Sequence, residues 1–190
     1  MDNLFLDKLI ERISNEDRNA LGELYDITSN NIFGYALSIV CNKSVAEDIM
    51  HDVYIQVFHN AKSYKAQGKA MAWMLRITRN ISYNMLKRQK FESVIPYDEI
   101  DNTLLQNNTN NNELNELIDQ IVLNELLIKL PTKERQIIIL YLFVGMSQKE
   151  ISKITRTPLP TVKWRYKNAL KKLSAVISSN KKEEVNYEKF

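Results

Sequence analysis

Two sets of side chains in this sequence have the types and spacing for chemistry or binding, and they carry opposite charge. Asp48, Asp52 and Gln56 recur every fourth residue, so a helix sets two carboxylates and an amide on one face. Paired carboxylates serve general acid–base catalysis or metal binding. No Gly-rich loop, positioned nucleophile or third ligand accompanies them, and His51 and His59 have no partner at zinc spacing. Neither a metal nor a cofactor is expected. That face then reads as a solvated acidic surface or as a dock for a basic protein. The second set is Arg76, Asn80, Tyr83 and Lys87, at steps of four, three and four, flanked by Arg79, Arg88 and Lys90. Five cations with an amide and a phenol suit a phosphate backbone with bases stacked or hydrogen-bonded beside it. A solvated basic face on a core helix is the competing reading.

Helices must position both sets. Ala70 to Lys90 contains no acid, Gly or Pro, and Met74, Ile77, Ile81 and Met85 form an apolar stripe on it. Over Ser44 to His59, Ser44 with Glu47 reads as a capping box, and Ala46, Ile49, Met50, Val53 and Val57 point inward. Residues 4–13 and 17–41 are expected to be helical, with Leu21, Leu24, Tyr25, Ile32, Tyr35, Ala36 and Ile39 in the core. A short polar loop, "NAKSYKAQGK", joins the acidic helix to the basic one. With no β alternation and only four glycines, the chain reads as all-α.

At 190 residues the chain suits one domain or two small ones. The net charge of +3 says less than its distribution: between Lys90 and Lys129 there is no cation but eight acids. Two basic regions separated by an acidic segment fit nucleic acid held at two places. Cys41 is the only cysteine, so no intrachain disulfide forms, and a lone Cys in an apolar helix is expected in the core. The N-terminus lacks a signal-peptide profile, and the longest uncharged apolar run, Ile137 to Val144, is too short to span a bilayer. The expectation is a cytoplasmic protein without membrane insertion.

After Phe91 the sequence turns acidic and Asn-rich, with "NNTNNN" at its centre, and reads as a flexible linker over 92–112. Helical periodicity returns at 113–129. Pro131 opens a further helix with Ile137, Ile138, Leu140, Tyr141 and Val144 buried, stopped by Gly145. Ser147 with Glu150 is a second capping box, starting "SQKEISKI". The turn "TRT" leads to Pro158 at the first position of the last helix, capped by Thr157. On that helix Val162, Tyr166, Ala169, Leu170, Leu173 and Ile177 face inward. Trp164, Asn168 and Lys171 face away, with Thr161, Lys163, Arg165, Lys167 and Lys172 on the shoulders. Two helices joined by a tight turn, the second basic, signal a helix-turn-helix whose second helix enters the major groove. The tail over 179–190 is charged and expected to fray.

The string "AWMLRITRNISYNMLKR" resembles part of region 2 of bacterial sigma factors of the sigma-70 family, extracytoplasmic-function (ECF) group. Trp73, Ile77, Arg79, Asn80, Leu86 and Lys87 carry the match, while Thr78 stands for the usual Ala and Asn84 for the usual Asp. "AEDIMHDVYIQVF" is similar to the region-2 helix that grips the clamp helices of the polymerase β′ subunit, which implies polymerase contacts at Asp48, Asp52 and Gln56. The resemblance makes the following loop a pocket for a base flipped out of the −10 element. Tyr64 would stack there, with Lys62, Ser63 and Lys65 as donors; Tyr64 packed down in a plain loop is the alternative. Arg76, Arg79, Asn80, Tyr83 and Lys87 complete the implied single-strand surface.

The run from Leu130 to Leu173 resembles ECF region 4, which binds the −35 element, through Leu130, Pro131, Arg135, Glu150, Ile151, Thr161, Val162, Lys163, Arg165, Ala169 and Leu173. Departures cluster at the turn: Ser152 for Ala, Arg156 for a frequent Gly, Pro160 for Gly, and Trp164 for a small residue on the DNA side. The implied duplex contacts are Thr161, Lys163, Trp164, Arg165, Lys167, Asn168 and Lys171. The expected architecture is two small helical domains, region 2 over 1–91 and region 4 over 113–178, joined by the linker. The expected function is non-enzymatic: recruiting core RNA polymerase through the β′ clamp helices and the β flap and directing it to promoter DNA. An anti-sigma factor is a common partner in the family. Two other readings remain. A helix-turn-helix regulator that binds operators without polymerase would use residues 1–91 to dimerise, and a hydrolase would use Glu47, Asp48 and Asp52.

Overall fold

The computed structural model describes residues 2–92, 127 and 129–187, and every regular element among them is helical. Seven α-helices run in order among those residues: α1 (Asn3–Ser14), α2 (Arg18–Val40), α3 (Lys43–Asn60), α4 (Ala70–Glu92), α5 (Thr132–Ile138), α6 (Gln148–Thr155) and α7 (Leu159–Tyr187). A 3₁₀ turn (Ala61–Ser63) follows α3, and a π-helical turn (Ile139–Phe143) continues α5. The expected linker beyond Glu92 lies outside the described residues, as do most of the expected helix at 113–129 and the side chains of Lys90 and Ile177. No helix among the described residues is long and apolar enough to cross a membrane.

Helices α1 to α4 pack around one core, with α2 touching the other three. Leu6, Leu9 and Ile10 meet Leu24, Ile32 and Tyr35, Ile49 and Val53, and Met71, Met74 and Leu75, all buried. Burying each such side chain is worth about 1.5–3 kcal/mol. Side-chain carboxylates start two of these helices: Asp2 accepts from the Leu4 amide at 2.9 Å, and Asp17 from Asn19 and Ala20. Start α3 differs from the expected Ser44–Glu47 box. Asn42 has extended backbone and accepts from the Val45 amide at 3.0 Å, so Ser44 already lies within the first helical turn.

The buried ridge of α4 also differs from the expected stripe. Met71, Met74, Leu75, Thr78 and Ser82 form it, while Ile77, Ile81 and Met85 are half-buried beside it. Thr78 and Ser82 reach this core because their hydroxyls donate to the carbonyls of Met74 and Thr78, at 3.0 and 2.8 Å. Among the other expected core positions, Leu21 and Tyr25 are half-buried. Cys41 is not a mid-helix core residue. It ends α2 in the left-handed region (φ +55°), half-buried, with its thiol against the Arg135 guanidinium.

Helices α5 and α6 each pack on α7, and they also reach the first four helices, α5 against α2 and α6 against α4. Two residues of the LPxxxR pattern meet here, since Arg135 donates to the Leu130 carbonyl at 2.9 Å. The π turn at Ile139–Phe143 widens the helix by one residue, with the Val144 amide bonded to the Ile139 carbonyl at 3.1 Å. That phase shift leaves Tyr141 exposed and Val144 half-buried, where regular periodicity places both inside. Gly145 (φ +76°) then ends the element. In α7, Leu170 is exposed rather than inward, and the helix runs through Tyr187.

Candidate nucleic-acid interface

The acidic face of α3 is open. Asp48, Asp52 and Gln56 are exposed, and the expected inward residues Ala46, Ile49, Met50, Val53 and Val57 are buried beneath them. Ile55 and Phe58 are also exposed on this helix, 53% and 40% respectively, which joins apolar area to the two carboxylates. Gln56 is partly occupied, because its Oε1 and its carbonyl accept from the Asn60 amide.

Past α3, the loop is anchored to α1 by a residue that sequence reasoning missed. Buried Asp7 accepts from the Tyr64 hydroxyl and from the Gly68 amide, both at 2.6 Å. A lone acid among Leu6, Leu9 and Ile10 on an otherwise apolar face was the available signal. Asn3 adds a bond from the Met71 amide at 3.2 Å. Burial, and then the bond to Asp7, push the Tyr64 phenol well above the ordinary tyrosine range. The Tyr64 ring packs against Trp73 with centroids 4.6 Å apart. Tyr64 is thus packed down, yet it still walls a recess of 280 Å³ together with Ser63, Lys65, Trp73 and Arg76. Lys62 stands outside that recess, paired with Glu16 at 3.3 Å on the surface.

Of the α4 set, Arg76, Asn80 and Lys87 are exposed, but Tyr83 does not share their open face. It is half-buried, and its hydroxyl accepts from the Gln136 amide of α5 at 3.0 Å. Arg79 lies over the Tyr83 ring, 4.7 Å from the centroid, with its Nε buried and unpartnered. This cross-helix packing explains why four- and three-residue steps alone misjudge the exposure of Tyr83.

The helix-turn-helix is built as its local chemistry requires. Ser147 and Glu150 form the expected reciprocal capping box of α6. Arg156 takes the left-handed cap (φ +53°) at the position where glycine is common. Ser152 ties this turn twice: its carbonyl accepts from the Thr157 amide at 3.0 Å, and its hydroxyl donates to the Thr157 carbonyl at 2.7 Å. Thr157 does not cap α7: Pro158 holds the position before the helix, and the Thr157 hydroxyl donates back to the Thr155 carbonyl. The first bond of α7 runs from the Val162 amide to the Pro158 carbonyl at 3.0 Å, which makes Pro158 the residue before the helix rather than its first.

On α7, Lys163, Trp164, Lys167 and Lys171 are exposed, Trp164 by 62%. Thr161 and Arg165 are half-buried. Asn168 departs from the outward position expected of it: it donates to buried Glu134 of α5 at 2.8 Å, and Lys172 pairs with the same carboxylate at 2.9 Å. A buried carboxylate without partners is costly, so Glu134 draws both side chains toward α5.

Residues 24–92 match sigma-70 region 2, and residues 120–173 match sigma-70, region 4. The ECF RNA polymerase sigma factor SigW of Bacillus subtilis (strain 168) is 27% identical over 175 residues, covering 85% of this chain and 91% of that protein. The ECF RNA polymerase sigma factor SigK of Mycobacterium bovis (strain BCG / Pasteur 1173P2) is 23% identical over 179 residues, 88% of this chain and 91% of SigK. Among solved structures, CnrH in complex with the cytosolic domain of CnrY aligns with a TM-score of 0.64 at 20% identity, over 91% of this chain and 97% of that one. The sigma factor RpoE from Bartonella quintana, in complex with the anti-sigma factor NepR, aligns at 0.66 and 18% identity, over 83% and 96%. At these identities the structural likeness is one of fold.

Proposed function

This chain belongs to the sigma-70 family of RNA polymerase sigma factors, in the ECF group, and from that premise we propose which of its surfaces meet polymerase and promoter. It is an ECF-type sigma factor that binds core RNA polymerase and directs promoter-specific initiation. The occurrence of region 2 and region 4 in order on one chain carries this conclusion. It assigns the chain no chemistry of its own and a working place in the cytoplasm, beside the polymerase.

In this proposal, residues 1–91 dock on polymerase and open the −10 element, 92–112 link, and 113–178 read the −35 duplex. Asp48 and Asp52 meet the β′ clamp helices, supported by their exposure and by the neighbouring Ile55 and Phe58. A flipped base enters the recess beside Tyr64 and Trp73, and its edge meets Ser63, Lys65 and Arg76. Exposed Asn80 and Lys87 follow the strand. On the duplex, Lys163, Lys167 and Lys171 hold phosphates, while Trp164 offers an apolar contact to a thymine methyl or a sugar. The region-4 half also meets the β flap. An anti-sigma factor is a further proposed partner, of the kind bound to the RpoE structure.

The test uses core polymerase, promoter fragments and a single-strand-specific probe. Melting near −10 that requires this chain and weakens in Asp48→Ala/Asp52→Ala supports both the assignment and the docking face. Binding without melting, unchanged by polymerase, instead favours a simple helix-turn-helix regulator.

A further inference from the structure

Between α4 and the helix-turn-helix lies a cleft of 340 Å³ whose lining carries four cations from four places in the fold. Arg79 comes from α4, Lys133 from α5, Arg156 from the α6–α7 turn and Arg165 from α7. Among the described residues no carboxylate lines this cleft. Three cations outside the cleft meet acids: Arg12 bonds Asp17 and Glu23, Lys62 bonds Glu16, and Lys172 bonds Glu134. None of the four cleft cations takes part in an ion pair among the described residues. Among the described residues, the only ring contact they make is that of Arg79 with Tyr83, and the buried Arg79 Nε has no hydrogen-bond partner there. Helix α7 begins at Leu159 beside the cleft, so its positive dipole end adds to the same field.

Like charges brought together at a half-enclosed site repel, and a polyvalent anion relieves that repulsion. We propose that this cleft binds a compact oligophosphate, either inorganic triphosphate or the triphosphate tail of a nucleotide, which clamps α4 to the helix-turn-helix. Three guanidinium forks and one ammonium suit tetrahedral phosphate groups, whereas a single carboxylate would leave most of the charge unmet. The volume lies near the lower end of ligand pockets, about 300–1,000 Å³, which suits a short anion. Lys133 and Arg156 belong to neither proposed DNA surface. Arg79 belongs to the single-strand surface and Arg165 to the duplex surface that the family resemblance implies, so the bound anion competes with promoter DNA at both; this competition rests on that resemblance and the proposed function, while the binding does not.

The experiment is calorimetric titration of the full chain with sodium tripolyphosphate, and separately with ATP, at low ionic strength and without polymerase. One saturable site is expected, weakened at least about tenfold by Lys133→Ala/Arg156→Gly and by less than about twofold by Lys149→Ala/Lys153→Ala. Both pairs remove two exposed cations, and the glycine keeps the left-handed turn. Lys133→Ala alone, on the solvent side of α5, gives a second reading that does not touch the turn. Tighter binding of ATP identifies a nucleotide as the source, and equal binding identifies the phosphates alone; both uphold the site. Absence of saturable heat, or equal weakening by the two pairs, overturns it while leaving the sigma assignment standing.

Discussion

The Gln136 side-chain amide donates to the Tyr83 hydroxyl at 3.0 Å, joining α5 to α4 across 53 residues of sequence. Gln136 is buried, and Arg79 covers the Tyr83 ring. Two residues expected on the single-strand surface are therefore engaged inside the protein, and if they contact the opened promoter as the family resemblance implies, that step exchanges these contacts for contacts with DNA.

Tyr83→Phe tests that exchange. It deletes the hydroxyl and leaves the buried Gln136 amide unsatisfied, at a cost of about 1–3 kcal/mol. Small-angle scattering should then show a larger radius of gyration than wild type, because α4 and α5 separate more readily. An unchanged radius would mean that other α4–α6 and α2–α5 contacts hold the arrangement by themselves.

Asp7→Ala should damage from a distance the recess proposed for a flipped base. It removes the acceptor for Tyr64 and for the Gly68 amide. Hydrogen bonds to a charged group contribute about 1.5–3 kcal/mol each, so chemical denaturation should show a loss of at least about 2 kcal/mol. Promoter melting should fall while affinity for core polymerase is kept, because the α3 face is separate from the loop. Equal loss of both activities would make Asp7 a general stability residue.

Arg156→Gly should stabilise the helix-turn-helix. A non-glycine residue at φ +53° carries a steric penalty of about 1 kcal/mol that glycine avoids, and the Ser152 bonds to Thr157 remain. The thermal midpoint should rise by a few degrees. A fall would show that the Arg156 side chain contributes more than its backbone costs.

Alkali should unfold the α1–α4 bundle. Burial raises the phenols of Tyr35, Tyr54 and Tyr64 above the ordinary value near 10. Between that value and the raised one, the unfolded chain has released protons that the folded chain still holds, so stability falls as pH rises. It is complete below pH 10 and is lost progressively above it. Thermal midpoints across an alkaline series, compared with Tyr64→Phe, measure this; a flatter alkaline limb is expected for the variant, and an identical limb would remove Tyr64 from the account.

Much of the fold was legible because its signals are local. The Ser147–Glu150 box closes within one turn, so its letters suffice. The same pattern at Ser44–Glu47 fails because Asn42, two residues earlier, reaches the amide of Val45 first. The acidic face of α3 was visible since its exposure follows from one helix and the core beneath it. Tyr141 was misplaced because periodicity assumes an α-helix, and the π turn adds a residue to the count.

By itself, the sequence determined the helical class, the charge pattern of the individual helices, the turn and the family to which the chain belongs. Each depends on residues within a few turns of one another, or on motifs in linear order. Only the tertiary structure decided which side chains of those faces remain open. Glu134 draws Asn168 and Lys172 inward, Gln136 occupies Tyr83, and Asp7 holds Tyr64. Those pairings come from the cost of burying an unsatisfied polar group, and the partner that relieves it lies 34 to 57 residues away, beyond the reach of any local pattern.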